Sequence, residues 1–182
     1  MIYPNHITPI KNGRSCILRS PRAEDAGEIL NHMKITSGQT DYMLRYPDEI
    51  RMTVEQEAAF LEDFAGSVDS LMICAEIDGT IAANGSFSPV ARVDKCRHRA
   101  EFGISIQRDY WDLGLGTAIL RELIHAAREA GFEQMELEVV DTNRRGIALY
   151  EKFGFTVYGK NGKAFRLRDG SYQACLLMCL EL

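Results

Sequence analysis

A strand that leads into a helix through a glycine turn restricts this chain to folds that combine strands and helices in one layered structure. Residues 100–107 (AEFGISIQ) have the pattern of a strand, and residues 114–130 carry the apolar stripe of an amphipathic helix. Gly114 and Gly116 stand one residue apart where this helix begins. The free N–H groups of such a helix start can meet an anion, because the helix dipole adds positive charge there.

Apolar periodicity along the rest of the chain predicts a mixed sheet with helices on its faces. The predicted order is β-α-α-β-β-β-α-β-α-β-β, an α+β or α/β arrangement without the strict βαβ alternation of a dinucleotide-binding fold. The predicted strands are 14–19, 71–77, 80–89, 100–107, 133–140, 155–158 and 172–182, and the predicted helices are 20–33, 53–66, 114–130 and 143–153.

Capping and turn residues mark several of these boundaries. Ser20 before a proline predicts the N-cap of the first helix, which should run to about Met33. Thr53 and Gln56 have the spacing of a capping box, so a second helix should begin there. The pair 78–79 (Asp-Gly) predicts a hairpin turn between two strands.

Length and composition predict one soluble domain over residues 1–182, with residues 1–13 as an extended arm. The chain is 46% hydrophobic, and no apolar run approaches the roughly 18 residues that span a bilayer. A net charge of −5 disfavours nucleic-acid binding, which needs a basic surface. The five cysteines are scattered without zinc-ligand spacing. We therefore expect a cytoplasmic protein that binds no metal, no membrane and no nucleic acid.

The glycine turn at 114–116 has two interpretations. It is either a phosphate-binding loop, in which glycines let a ligand approach the backbone, or a tight turn that needs glycine for its geometry alone. A dinucleotide-binding loop would need a third glycine where Ile119 stands, and the Gly-Lys-Ser/Thr of a P-loop is missing. Phosphates of NAD or ATP in their usual loops are therefore disfavoured.

A second motif, DTNRRGIALYEKFGF at 141–155, follows the glycine turn (WDLGLGTAIL, 111–120) after about 30 residues. Together the two motifs resemble the GCN5-related N-acetyltransferase superfamily. The resemblance extends over 14–182 in element order, and its specific motifs lie within 100–158, the expected acetyl-CoA-binding core. It implies a mixed, mostly antiparallel sheet flanked by helices, and transfer of an acetyl group from acetyl-CoA to an amine.

The resemblance also implies roles for individual residues. Backbone groups of Ile104, Ser105 and Ile106 would pair with the pantetheine arm, and the Ile106 N–H would stabilise the oxyanion. Asn143 would bond to the pantetheine region, and the Tyr150 hydroxyl would lie at the coenzyme sulfur. The amides expected to hold the pyrophosphate are those of Asp112, Leu113, Gly114, Leu115, Gly116 and Thr117.

Three positions depart from the family pattern. Trp111 occupies a Gln/Arg position of the loop, so the side-chain contact made there in relatives is lost. Asp112 places a negative charge beside the expected pyrophosphate, so it should face solvent or meet a cation such as Arg108. Gly146 replaces an alanine, at about 1 kcal/mol of helix propensity.

The expected chemistry is direct attack of a neutral amine on the thioester, without a metal or a covalent intermediate. Tyr150 would protonate the leaving thiolate, although a packing tyrosine is the alternative. Glu101 is the candidate base, directly or through water, and a solvated glutamate is its alternative. His98 could also serve as a base, but it lies in a basic run where an exposed histidine is the simpler interpretation.

The acceptor amine is expected to bind between loops 41–49, 90–98 and 159–171. Tyr42, Tyr46 and Glu49 are the candidate contacts, with a solvated loop as the alternative. A small-molecule amine is the first candidate, and a protein N-terminus or lysine is the second. A non-catalytic acyl-CoA sensor and a nucleotide-binding protein are the competing classes. Relatives often form homodimers, which is possible here as well.

Overall fold

The computed structural model describes all residues from 1 to 182 and contains eight strands and four α-helices. The strands are β1 (His6–Pro9), β2 (Ser15–Arg19), β3 (Leu71–Ile77), β4 (Thr80–Pro89), β5 (Arg99–Ile106), β6 (Gln134–Val140), β7 (Thr156–Arg166) and β8 (Tyr172–Glu181). The helices are α1 (Ala26–Gln39), α2 (Val54–Gly66), α3 (Leu115–Glu129) and α4 (Arg144–Lys152). The predicted mixed α+β fold is confirmed, with β1 as an additional strand.

All eight strands form one sheet in the order β1-β2-β3-β4-β5-β6-β8-β7. Only β5 and β6 are parallel, and α3 supplies the crossover that a parallel pair needs. These two strands pair only where residues 99–101 meet residues 134–136. They therefore separate towards the C-terminal end of β5, which leaves that part of β5 without a neighbour on one side.

Helices cover both faces of the sheet, and each face has its own apolar core. Residues of β3 alternate between the two: Ile73 lies in the core under α3, whereas Cys74 lies in the core under α1 and α2. The larger core also contains Tyr150 of α4, so α3 and α4 share one face. None of the four helices is both long enough and apolar enough to cross a lipid bilayer.

The N-terminal segment differs from the expected extended arm and helix start. Residues 6–9 pair with β2 as an edge strand. Ser20 is buried and does not cap a helix, because its hydroxyl donates to the Met72 carbonyl and accepts from the Tyr3 amide, each at 2.9 Å. The prediction of Ser20 as an N-cap was wrong: it serves the sheet, and a 3₁₀ turn at 23–25 precedes α1. α1 then continues to Gln39, six residues beyond the predicted end at Met33.

Other local signals are confirmed. The Thr53 hydroxyl accepts from the Gln56 amide at 3.2 Å, and the Gln56 side chain accepts from the Thr53 amide at 2.9 Å. Asp78 and Gly79 both have positive φ, as a two-residue hairpin turn requires. The strand predicted to start at 155–158 is β7, which extends to Arg166 by pairing with β8.

Candidate functional site

The gap where β5 and β6 separate opens into a cavity of about 880 Å³. Its walls come from the end of α1 and the loop after it, the end of β5, the turn before α3, the start of α4, and β8. Most of the predicted site residues line this cavity: Tyr42, Ile104, Ser105, Ile106, Asp112, Gly114, Gly116, Thr117, Asn143 and Tyr150. The structure therefore brings together two motifs that are about 30 residues apart in sequence.

The turn before α3 presents an uninterrupted row of backbone donors. None of the six amides from Asp112 to Thr117 donates a hydrogen bond within the chain, and the first helical bond runs from Ala118 N to Gly114 O at 3.0 Å. Gly114 is the N-cap and has no side chain to accept from these amides. Six unpartnered donors at the positive end of a 15-residue helix form a site for an anion such as a pyrophosphate.

The two glycines of this turn serve different purposes. Gly114 has φ +94°, which favours glycine, and a Cβ there would meet no protein atom within 4 Å. A Cβ on Gly116 would lie 2.9 Å from Leu149 Cδ2 and 3.3 Å from Ile106 Cδ1. Gly116 thus allows α3 to pack against α4 and β5, whereas the open side of Gly114 leaves room for a ligand at the backbone.

Asp112 meets a cation, but a different one from the arginine that the sequence favoured. Its carboxylate lies 3.1 Å from the Arg145 guanidinium of α4. Arg108 instead bonds to the Gln39 carbonyl at the end of α1. The Trp111 ring lies between these arginines, with its centroid 4.9 Å from Arg145 and 5.6 Å from Arg108. The negative charge of Asp112 is therefore paired rather than directed at the amides.

Trp111 also limits which backbone groups of β5 are free. Its indole N–H donates to the Ile106 carbonyl at 2.8 Å. Because the Gln107 amide donates towards β4, strand alternation directs the backbone groups of Ile104 and Ile106 to the opposite side, where β6 has diverged. The predicted backbone pairing at Ile104–Ile106 is thus reduced to the Ile106 N–H and both groups of Ile104. Ser105 pairs with β4 through its backbone and also lines the cavity, and its hydroxyl contacts His32 of α1.

Tyr150 lies at the inner wall of the cavity. Its ring packs edge-on against Phe102, with centroids 6.0 Å apart, and against Phe155 at 5.9 Å. Its hydroxyl makes no hydrogen bond within the chain, although the residue is only 8% exposed. Burial raises the pKa of Tyr150 to about 12, so the phenol keeps its proton at neutral pH. The two interpretations offered by the sequence, packing and proton donation, are therefore compatible.

Asn143 caps α4 at the cavity wall. Its side-chain oxygen accepts from the Gly146 amide at 3.0 Å, which leaves its NH₂ group free to donate to a ligand. A Cβ on residue 146 would lie 2.8 Å from that nitrogen. The departure from alanine at this position therefore has a reason, since glycine leaves room for the capping side chain.

The loop that was expected to bind substrate divides into two parts. Tyr42 lines the cavity, whereas Tyr46 and Glu49 do not. Glu49 accepts from the Tyr46 amide at 2.8 Å and thereby caps a 3₁₀ turn. The Arg168 guanidinium lies 4.0 Å over the Tyr46 ring and donates to the Asp48 carboxylate at 2.7 Å. Tyr46, together with Asp48, therefore holds the loop against the β7–β8 hairpin, and Glu49 stabilises the turn; neither Tyr46 nor Glu49 lines the cavity.

Several other predicted residues lie outside the cavity wall. Glu101 is exposed on β5, opposite Ser88 of β4, so any role as a base would have to run through water. His98 joins β5 to β6, where its carbonyl accepts from the amides of residues 133 and 134. Leu115 is buried in the core, and Leu113 accepts a backbone bond from Lys11. Both leucines contribute only their amides to the turn.

Sequence reasoning missed part of the wall. Four cations line the cavity: Lys11, Arg108, Arg144 and Arg145. Arg144 and Arg145 stand directly after Asn143 in the NRRG stretch, and that adjacency is a signal that could have identified them. Gln173 of β8 also lines the cavity, and its buried side-chain oxygen has no partner. Nothing in the local sequence distinguishes Gln173, because only the sheet order brings β8 beside β6.

The chain matches the family model described as Acetyltransferase (GNAT) family over residues 37–155, more than half of its length. This match includes the glycine turn, Asn143 and Tyr150. The chain therefore belongs to the GNAT acetyltransferase family, and the resemblance inferred from the two motifs is confirmed.

Individual relatives agree with this assignment. The chain is 30% identical over 106 residues to the L-amino acid N-acetyltransferase AaaT of Escherichia coli K12, covering 58% of this chain and 63% of that protein. It is 34% identical over 76 residues to the [ribosomal protein bS18]-alanine N-acetyltransferase of the same organism, covering 42% and 51%. The chain thus spans less than two thirds of either relative.

A solved structure shows the same fold over almost the whole chain. The structure of yncA from Salmonella typhimurium with its cofactor acetyl-CoA superposes with a TM-score of 0.80 over 92% of this chain and 94% of that one. Its sequence identity is 21%, so the comparison supports the fold alone. That protein is therefore an example of the same fold with acetyl-CoA bound.

Proposed function

We propose that this protein transfers the acetyl group of acetyl-CoA to a primary amine by direct attack. The observation that carries the proposal is the row of unpartnered amides at 112–117, four of whose residues (Asp112, Gly114, Gly116 and Thr117) line the same cavity as Tyr150 with its unpartnered hydroxyl. One group of donors suits the pyrophosphate of a coenzyme, and the other suits a leaving group that needs a proton. Acetyl-CoA supplies both, together with an activated thioester.

The residues present fit coenzyme A by charge as well as by hydrogen bonding. Lys11 and Arg144 line the cavity and would balance the phosphate charges, whereas Arg145 is already paired with Asp112. The free amide of Asn143 and the unpaired edge of β5 offer donors and acceptors to the amide groups of a pantetheine arm. No cluster of metal-binding side chains is needed for any of these contacts.

Direct attack of an amine on the thioester has three requirements that the protein must meet. The amine must be neutral and held in place, the oxyanion needs a donor, and the thiolate needs a proton. The Ile106 N–H is a free donor on the unpaired edge of β5, and the Tyr150 hydroxyl keeps its proton at neutral pH. Glu101 could deprotonate an ammonium substrate through water only, because it does not line the cavity.

A small amine is the acceptor that we propose, with an L-amino acid as the first candidate. The name of the relative AaaT supports this class, whereas the bS18-alanine acetyltransferase supports a protein N-terminus. The clamp of Arg168 on Tyr46 and Asp48 joins two loops at the expected acceptor side, which favours a compact substrate over an extended chain. Cytoplasmic location and a homodimer stay predictions.

Thermal denaturation with ligands tests the cofactor. Acetyl-CoA at 100 times its Kd should raise the free energy of unfolding by about 2.7 kcal/mol, which corresponds to several degrees in Tm. CoA should give a shift of similar sign, because it shares the pyrophosphate and the pantetheine arm. ATP and NAD at the same concentration should give none.

The competing classes predict other patterns in that measurement. A shift with ATP or NAD and none with CoA would support a nucleotide-binding protein and contradict the proposal. Where acetyl-CoA stabilises the protein, CoA release is then measured with L-amino acids and with a peptide that begins with alanine. Release with amino acids supports the proposed acceptor, and release with the peptide alone supports a protein N-terminus.

Replacing Gly114 by Ala should weaken acetyl-CoA binding by about tenfold. Its φ of +94° is unfavourable for any residue with a Cβ, at about 1–2 kcal/mol, and relaxation of the turn would redirect the amides. Gly131→Ala is the matched control, since Gly131 follows the other end of α3 with φ +84° and an equally open side. Both variants should lose similar stability, but only Gly114→Ala should lose affinity in titration calorimetry. Equal affinities in the two variants would show that the turn does not hold the ligand.

A further inference from the structure

A serine and a histidine form a hydrogen-bonded pair on the α1 side of the cavity. Ser105 lies on β5, is half-buried, and is one of the residues that line the cavity. His32 of α1 is fully buried, with its Nε2 2.8 Å from the Ser105 Oγ and its Nδ1 3.2 Å from the Ile81 carbonyl oxygen. The proposed function assigns no role to either side chain.

The partners of His32 determine where the hydrogens lie. Nδ1 lies 3.2 Å from the Ile81 carbonyl oxygen, which can only accept, and 3.4 Å from the Gln107 Nε2, which can only donate. We place the proton on Nδ1, because the Gln107 NH₂ group is already bonded to that carbonyl at the shorter distance of 2.8 Å. Burial lowers the pKa of His32 to about 4, so the ring is neutral at neutral pH and its Nε2 is an acceptor. The Ser105 hydroxyl must then donate to Nε2.

Because its hydrogen is bonded to His32, the Ser105 oxygen can only accept a hydrogen bond from a ligand in the cavity. A serine with a free hydrogen could donate to the lone pair of an amine, and that lone pair is the nucleophile. A serine whose hydrogen is held by histidine can only accept an N–H from the amine. Such a contact holds the nitrogen while its lone pair stays available for attack.

Two further side-chain oxygens are buried without a hydrogen-bond partner in the chain. Gln173 lines the cavity with a buried side-chain oxygen that has no partner. Asn84, opposite Ser105 on β4, also has a buried side-chain oxygen without a partner, but it does not line the cavity. Acceptors without donors are the complement of a ligand that brings N–H groups, because a buried unpaired acceptor costs about 1–3 kcal/mol.

We propose that Ser105 Oγ accepts a hydrogen bond from the attacking amine, and that His32 is the positioning residue that keeps the Ser105 hydrogen away from the nucleophile. The inference rests on the proposed function and adds no covalent step to it. Ser105 thus becomes a catalytic residue on the acceptor side of the cavity, separate from the amide row that holds the donor.

Steady-state kinetics of three variants tests this assignment, with acetyl-CoA and the L-amino acid that the unmodified enzyme acetylates fastest. Ser105→Ala should lower kcat/KM for the amine by about tenfold or more, the effect of one lost hydrogen bond to a reacting group. Its KM for acetyl-CoA should change less than about twofold. His32→Leu should show the same loss, since it frees the Ser105 hydrogen. His32→Gln, whose amide oxygen can accept from Ser105, should keep kcat/KM within about threefold.

Ser20→Ala is the matched control for loss of a buried hydroxyl. Ser20 makes two hydrogen bonds in another part of the sheet and does not line the cavity, so this variant should lower Tm but leave kcat/KM unchanged. Full activity of Ser105→Ala would overturn the assignment, and so would equal activity of His32→Leu and His32→Gln. If Ser105→Ala does not fold, the comparison of His32→Leu with His32→Gln still tests the assignment. An unmodified enzyme that binds acetyl-CoA but acetylates no amine overturns the proposed function itself.

Discussion

Replacement of Tyr150 by Phe should lower kcat by about 100-fold or more while the Kd for acetyl-CoA changes less than about twofold. Proton donation to a leaving group typically contributes a factor of 10²–10⁴. Tyr150 lines the cavity with a protonated, unpartnered hydroxyl on a ring that packs against Phe102 and Phe155. Phenylalanine keeps the ring contacts with Phe102 and Phe155, so the fold should persist. Rates of CoA release and calorimetric titration measure the two quantities separately.

Tyr158→Phe is the matched control, because Tyr158 is an exposed tyrosine of β7 that does not line the cavity. It should keep the kcat of the unmodified enzyme. The same experiment separates a catalyst from a non-catalytic acyl-CoA sensor, since a sensor without turnover has no rate to lose. Unchanged kcat in Tyr150→Phe would exclude this tyrosine as the acid and leave water as the proton donor.

The second large effect is a loss of stability in mild acid that depends on His32. Its folded pKa is lowered from 6.5 to about 4 by burial, so the unfolded chain binds the proton more readily. The contribution of His32 to the free energy of unfolding should therefore be fully present above pH 6.5. The free energy of unfolding should fall as the pH drops from 6.5 towards 4. This residue alone should remove about 2 kcal/mol between pH 7 and pH 5. Urea unfolding at several pH values measures the slope.

His32→Gln isolates that contribution, because glutamine does not titrate and retains polar atoms near the imidazole positions. The variant should be less stable than the unmodified protein at pH 7, and the difference should shrink as the pH is lowered to 5. Carboxylates that lose their charge in acid act on both proteins and cancel in the comparison. Parallel curves over this range would show that the folded protein accommodates a charged His32.

Local sequence signals were sufficient for most of the fold. The capping box at Thr53 and the Asp-Gly turn at 78–79 were identified correctly, because each is a short-range arrangement whose hydrogen bonds close within four residues. Ser20 was misassigned because a serine hydroxyl before a helix has two possible partners. Here the buried strand β3 offered the Met72 carbonyl, and the sheet prevailed over the helix.

Part of the site was visible in the sequence for a similar reason. The glycine turn and α4 each have their own local pattern, and their pairing resembled a known family. The partner of Asp112 was not visible, since Arg108 is near it in sequence but Arg145 is near it in space. Glu101 met a similar limit: strand alternation predicts the face of a residue, but not whether the cavity extends to it.

The sequence by itself determined the elements, the helix start with its unpaired amides, and the tyrosine and asparagine of α4. These features follow from interactions within a few residues, so they do not depend on how distant parts of the chain pack. Only the tertiary structure decided that β5 and β6 separate, that β8 brings Gln173 to the cavity, and that α1 places His32 against Ser105. Those contacts join residues up to about 70 positions apart, and packing of both faces of one sheet selects them.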